Sequence, residues 1–139
     1  MSRLSPLLRR RVQQRGQGLC EYCRSCMDYT GHAFTVDHVL PTSRGGSDDL
    51  NNLCFCCFWC NNYKHSRTHA LDVRTDRVAP LFNPRMDKWN DHFRWSSTST
   101  RIVGRTAIGR VTIRMLRLNR LSLVRARKVW VRHGLHPPE

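Results

Sequence analysis

Hydrophobic and polar positions change period along the middle of the chain, and the change marks out its elements. Residues 32–39, with Phe34, Val36 and aromatic or β-branched neighbours, fit an extended strand that Pro41 ends. Residues 42–49 carry Gly45-Gly46 and Asp48, the chemistry of a turn, and residues 50–56 read as the returning strand. No glycine or proline interrupts the stretch from Phe58 to about Leu71, which predicts a helix. The predicted order is strand, loop, strand, helix.

On the N-terminal side, residues 7–14 predict a short Arg-rich helix before the Gly16-Gln17-Gly18 break. On the C-terminal side, residues 72–95 hold Pro80 and Pro84 among Phe82, Trp89, Phe93 and Trp95. That aromatic density predicts an irregular segment packed across the core of the preceding region rather than a free linker. Residues 96–100 form a polar turn before a short strand at Ile102-Val103. Thr106 fits an N-cap, and Ile108, Val111, Met115 and Leu118 recur at helical spacing, with a second helix over about 121–134. The fold class is α+β. Residues 1–18 are expected to be a basic arm or helix, 19–71 the core, and 72–139 an aromatic segment followed by a mainly helical Arg-rich extension packing on that core.

Charge changes this picture from fold to partner. The 139-residue chain has the size of one ordinary domain, yet carries a formal net charge of +14, from 24 Lys and Arg against 10 Asp and Glu. All of these bases except Lys64, Lys88 and Lys128 are Arg, whose planar fork grips phosphate in bidentate fashion. Residues 1–15 hold five Arg and no acid, and residues 101–139 are similarly basic with Glu139 as their only acid, while the middle is nearly balanced. A nucleic-acid partner is expected, with Arg110, Arg114 and Arg117 of the extension helices laid along its backbone. No apolar run approaches the ~20 residues of a membrane span, and no signal-peptide core precedes the first cysteine, so a membrane is not expected as a partner and a reducing, cytoplasmic setting is.

Cysteine usage agrees with that setting. Seven cysteines, an odd number, crowd into two clusters, Cys20, Cys23, Cys26 and Cys54, Cys56, Cys57, Cys60, which argues against a secreted disulfide scaffold. Two Cys-x-x-Cys pairs can close a tetrahedral structural zinc site. Each cluster offers two overlapping pairs. The expected set is Cys20, Cys23, Cys57 and Cys60, because the last two straddle the start of the predicted helix, whereas Cys54 and Cys56 fall within the strand as small packed hydrophobes. Cys26, Cys54 and Cys56 stay open as substitutes.

Between the cysteine pairs lies a set able to hydrolyse a phosphodiester, which needs an activated water and positive charge where negative charge builds up. Asp37 and His38 place a hard oxygen ligand and a base side by side on one strand, with side chains on opposite faces. Asn52 and Asn61 add two amides, the second on the first turn of the helix. Arg44 and Lys64 are nearby cations, and the Gly45-Gly46 amides could approach a phosphate or simply form a loop.

Together, VDHVLPTSRGG at 36–46 and NNLCFCCFWCNNYK at 51–64 resemble the HNH endonuclease family of the ββα-metal, or His-Me finger, fold. The resemblance covers residues 19–64. It implies His38 as general base, Asp37 and Asn61 as ligands of a catalytic divalent ion, and Asn52 as the residue that steadies the loop and the base. With an amide oxygen rather than an imidazole as the third letter, Mg²⁺ or Mn²⁺ is the expected ion, beside structural Zn²⁺. The segment LFNPRMDKWNDHFRW at 81–95 is similar to an extension in small bacterial members of the family. DNA is the expected substrate, with RNA open, and so is assembly as a homodimer or within a larger defence or phage complex. A non-catalytic zinc module that binds nucleic acid would keep the cysteines and the charge, but would have no need of Asp37, His38 and Asn61.

Overall fold

The computed structural model describes residues 4–138, which fall into two compact units, residues 4–68 with 83–87, and residues 69–82 with 88–138. Met1, Ser2 and Arg3 of the expected basic arm, and Glu139, lie outside the described residues.

The first unit opens with helix α1 (Pro6–Arg15). Ser5 caps it, its Oγ accepting the Leu8 N–H at 3.1 Å, and Pro6 occupies the first turn, where its missing N–H costs nothing. Arg9, Arg10 and Arg11 face solvent, while Val12 turns inward to join Leu4, Leu53 and Phe55 in a small apolar core. A short helix α2 (Met27–Thr30) precedes strand β1 (Phe34–His38), which pairs antiparallel with β2 (Leu53–Cys57) in a register running from Phe34 opposite Cys57 to His38 opposite Leu53. All five residues of β2 are buried: Leu53 and Phe55 face the α1 core, and Cys54 and Cys56 take the other face. Helix α3 (Phe58–Lys64) follows without a loop.

That helix is shorter than the unbroken polar run predicts. It stops at His65, whose φ of 52° leaves the helical region, and a turn leads on to a strand from His69. His69–Asp72 form strand β3, paired with β4 (Arg77–Pro80) from His69 opposite Pro80 to Asp72 opposite Arg77. Pairing within this hairpin overrides single-residue helix propensity here, and the leading stretch of the first unit ends at residue 68.

The second unit is more strand-rich than the expected helical extension. Beside the β3–β4 hairpin it holds α4 (Trp89–His92), a hairpin of β5 (Phe93–Trp95) with β6 (Ile102–Gly104), and helices α5 (Ala107–Leu116) and α6 (Leu121–Arg132). Thr106 caps α5 as predicted, accepting the Gly109 N–H at 3.1 Å, and α5 packs on β3, β4 and β6. Gly109 has to be glycine, because a Cβ there would lie 2.1 Å from the His92 carbonyl oxygen. Phe82, Trp89, Phe93 and Trp95 pack against one another within this unit. They build this unit's own interior, with ring centroids 5.0 Å apart for Trp89–Phe93 and 5.2 Å for Phe82–Phe93. No helix among the described residues is long and apolar enough to cross a membrane.

Candidate functional site

Cys20, Cys23, Cys57 and Cys60 come together in the first unit, all buried, with their sulfurs within 4.8 Å of one another. A tetrahedral zinc with bonds of about 2.3 Å sets its sulfurs about 3.8 Å apart. The Cys23 and Cys57 sulfurs stand at 3.8 Å. Each pair repeats one local device, in which the first sulfur accepts the N–H of the second cysteine, Cys23 N to Cys20 at 3.5 Å and Cys60 N to Cys57 at 3.4 Å. Burial pushes the Cys20 and Cys60 thiols well above their ordinary range, so a cation is what would hold them as thiolates. The donor set therefore fits zinc. Cys26, Cys54 and Cys56 stand outside the cluster.

The first knuckle also builds the neighbouring carboxylate site. Tyr22, between Cys20 and Cys23, is fully buried and donates its hydroxyl to Asp37 Oδ2 at 2.9 Å. Burial first, then the adjacent Cys54 and Asp37, push its phenol well above the usual range, which keeps it a donor. Lys64, on the last turn of α3, brings Nζ to 3.0 Å from the same Oδ2 and donates to the His38 carbonyl at 3.1 Å. The Cys54 sulfur also approaches Oδ2, at 3.8 Å. Every recorded contact of the Asp37 carboxylate is made by Oδ2, which leaves Oδ1 without a partner among the described residues. Lys64, expected at a phosphate, is only 1 % exposed and serves Asp37 instead.

His38, the next residue along β1, points the other way. Its Nε2 lies 2.7 Å from Asp48 Oδ1 in the loop between the strands. The loop is clamped by Asn52, which accepts the Leu40 N–H at 2.8 Å and donates to the carbonyls of Leu40 at 3.0 Å and Ser47 at 2.8 Å. A Cβ on Gly46 would sit 1.7 Å from the Leu40 oxygen, so the second glycine is there for close backbone approach. The Gly45 and Gly46 amides donate to the Thr42 and Pro41 carbonyls, which favours the plain-loop reading of the pair over an anion nest. Arg44 ties this loop to the chain beyond α3 through the Ser66 carbonyl at 2.9 Å, with the residue itself exposed.

Asn61 is half-buried, one turn before Lys64 and so on the helix face that meets Asp37, and its side chain carries no hydrogen bond among the described residues. In the second unit, Arg110 forks onto Asp72 with Nε and Nη2 at 3.1 and 2.9 Å, and exposed Arg114 donates to the Leu71 carbonyl. Arg117 caps α5 in a left-handed conformation, exposed. Sequence reasoning missed Tyr22, Asp48, Glu21 and Arg85. Glu21 accepts the Phe55 N–H at 2.7 Å and pairs with Arg85, which returns to the first unit in the 83–87 segment. Only the presence of Tyr22 and Glu21 inside a knuckle could have drawn attention to them.

The cysteine frame, the Asp37–His38 pair and the clamped loop occupy one continuous stretch of sequence, and residues 20–67 match the family model described as HNH endonuclease. Over that segment the chain is similar to the HNH endonuclease family. The comparisons with curated proteins and with solved structures gave no match. The HNH segment begins at the first zinc-type cysteine and ends just past α3, so it contains Asp37, His38, Asn52 and Asn61, and it ties this part of the chain to nuclease-type chemistry.

Proposed function

We propose that this chain is a metal-dependent endonuclease that hydrolyses phosphodiester bonds of DNA, on a ββα-metal core formed by β1, β2 and α3. The observation that carries the reading is the division of labour at Asp37-His38. Tyr22 and Lys64 hold one carboxylate oxygen and leave Oδ1 open, while His38 faces the opposite side against Asp48. Asp37 Oδ1 and the Asn61 amide oxygen would be the two protein ligands for a divalent ion such as Mg²⁺ or Mn²⁺, which would supply positive charge at the leaving oxygen. With its Nε2 proton donated to Asp48, His38 keeps Nδ1 as the lone pair that takes a proton from water. Asp48 positions the base and Asn52 positions Asp48's loop. Contact with the phosphate backbone falls to Arg9, Arg10, Arg11 and Arg44 in the first unit and to Arg114 and Arg117 in the second, all exposed.

Plasmid incubation with Mg²⁺ tests this. His38→Ala should cut roughly 10²–10⁴-fold more slowly than wild type. Equal cutting by both chains removes His38 as the base, and cutting by neither returns the chain to the class of zinc-held binding modules. Asp48→Asn should lower kcat by about 10- to 100-fold and displace the pH–rate profile, a signature that a purely structural role would not give.

A further inference from the structure

We propose that Phe58 and Trp59 form a stacking platform for an unpaired DNA base beside the cleavage site, so that single-stranded or frayed DNA is the preferred substrate. This rests on the nuclease reading above. The two residues fill the turn between Cys57 and Cys60, whose side chains are almost fully buried, yet Phe58 is 52 % and Trp59 45 % exposed. A metal on the cysteines would fix the backbone of this turn, so the rings are held outward by a rigid frame. Their centroids lie 5.0 Å apart, edge to face, and Trp59 is backed by Tyr63 at 6.1 Å. Leaving two large rings in water forgoes the favourable burial of apolar surface, and polar residues would serve the turn equally well.

Position and charge point to the occupant. Phe58 stands three residues before Asn61, on the same helix face and within about 5 Å along the axis. A nucleotide whose phosphate reaches Asn61 therefore has its base within reach of Phe58, with the Trp59 ring 5.0 Å beyond it. The exposed cations Arg9, Arg10, Arg11 and Arg44 of the same unit suit the polyanionic strand that carries such a base. Bases inside a duplex are already stacked on both faces and cannot offer one to the platform.

Fluorescence anisotropy of the full chain, zinc retained and no Mg²⁺ added, measures binding of a labelled single-stranded oligodeoxynucleotide and of its blunt duplex at one salt concentration. The paired substitution Phe58→Ala, Trp59→Ala should weaken single-strand binding about 10-fold or more, with the duplex changed less than about 2-fold. Phe58→Leu with Trp59→Leu keeps apolar bulk without π-faces and should show the same selective loss. Phe58→Tyr with Trp59→Phe keeps the rings and should restore affinity to within about 3-fold. Equal loss on both DNAs, or undiminished single-strand binding in the Leu pair, overturns the platform. Because the titration contains no catalytic ion, its failure leaves the plasmid assay standing, and a failed plasmid assay leaves the titration standing.

Discussion

The two units hold themselves together by different means. In the first, the buried apolar set is small, Leu4, Val12, Leu53 and Phe55, and much of the interior is polar or ligating: the four knuckle cysteines, Glu21, Asp37 and Lys64. In the second, aromatic rings and aliphatic side chains such as Ile102, Val111, Leu116 and Leu118 supply the interior, and even a base is recruited to it, since buried Arg127 sits over the Trp95 ring at 5.2 Å with Nη1 donating to the Thr100 carbonyl at 3.2 Å. The comparison teaches that the unit bearing the candidate site spends its interior on positioning ligands. A metal on its four cysteines would supply the stability that the other unit draws from packing.

Metal removal is the strongest way to break that comparison. Structural zinc contributes about 10–16 kcal/mol in zinc-finger peptides, so chelation should abolish amide-exchange protection in β1, β2 and α3 while leaving α5 and α6 protected. Simultaneous loss in both units would show that they do not differ in this way. Next in size is the buried Asp37–Lys64 pair, with side chains 6 % and 2 % exposed. Lys64→Ala should destabilise the first unit by about 3–5 kcal/mol, and adding Asp37→Asn should return much of it. Denaturant unfolding with a single-variant cost below about 1 kcal/mol would mean that the pair orients Asp37 without supporting the fold.

The smallest effect belongs to the second unit and is read through pH. Arg110 beside Asp72, with the Thr75 hydroxyl and the Arg74 amide, holds the Asp72 carboxyl well below the usual carboxylate range. A depressed native value means the contribution is complete above the unfolded carboxyl's ordinary value of about 3.9 and fades as pH falls below it. The stability gap between wild type and Asp72→Asn should therefore hold steady from about pH 7 to 5 and narrow below about pH 4. A gap that ignores acid would remove the ion pair as its source.

Much of the candidate site was legible in the chain because its chemistry is local. Cys-x-x-Cys spacing, Asp37 next to His38 on an alternating strand, and Asn61 just after a knuckle are relations within a few residues, and the period of side-chain direction decides them. The partners were not legible. Tyr22 reaches Asp37 across 15 residues and Arg85 reaches Glu21 across 64, and nothing in either neighbourhood marks the other. The fate of cations followed the same rule, with Lys64 and Arg110 reading as phosphate contacts until a facing carboxylate engaged each of them.

The sequence by itself determined the strand-loop-strand-helix order, the four-cysteine frame and the identity of the chemical groups, since each follows from short-range periodicity and residue type. Tertiary structure alone decided that α3 stops at Lys64 so that β3 can pair, and that the aromatic segment builds its own interior. It also decided that Oδ2 of Asp37 is occupied while Oδ1 is left open. Those outcomes depend on which strands pair and which side chains meet once the chain is folded, and neither is written in single-residue propensity.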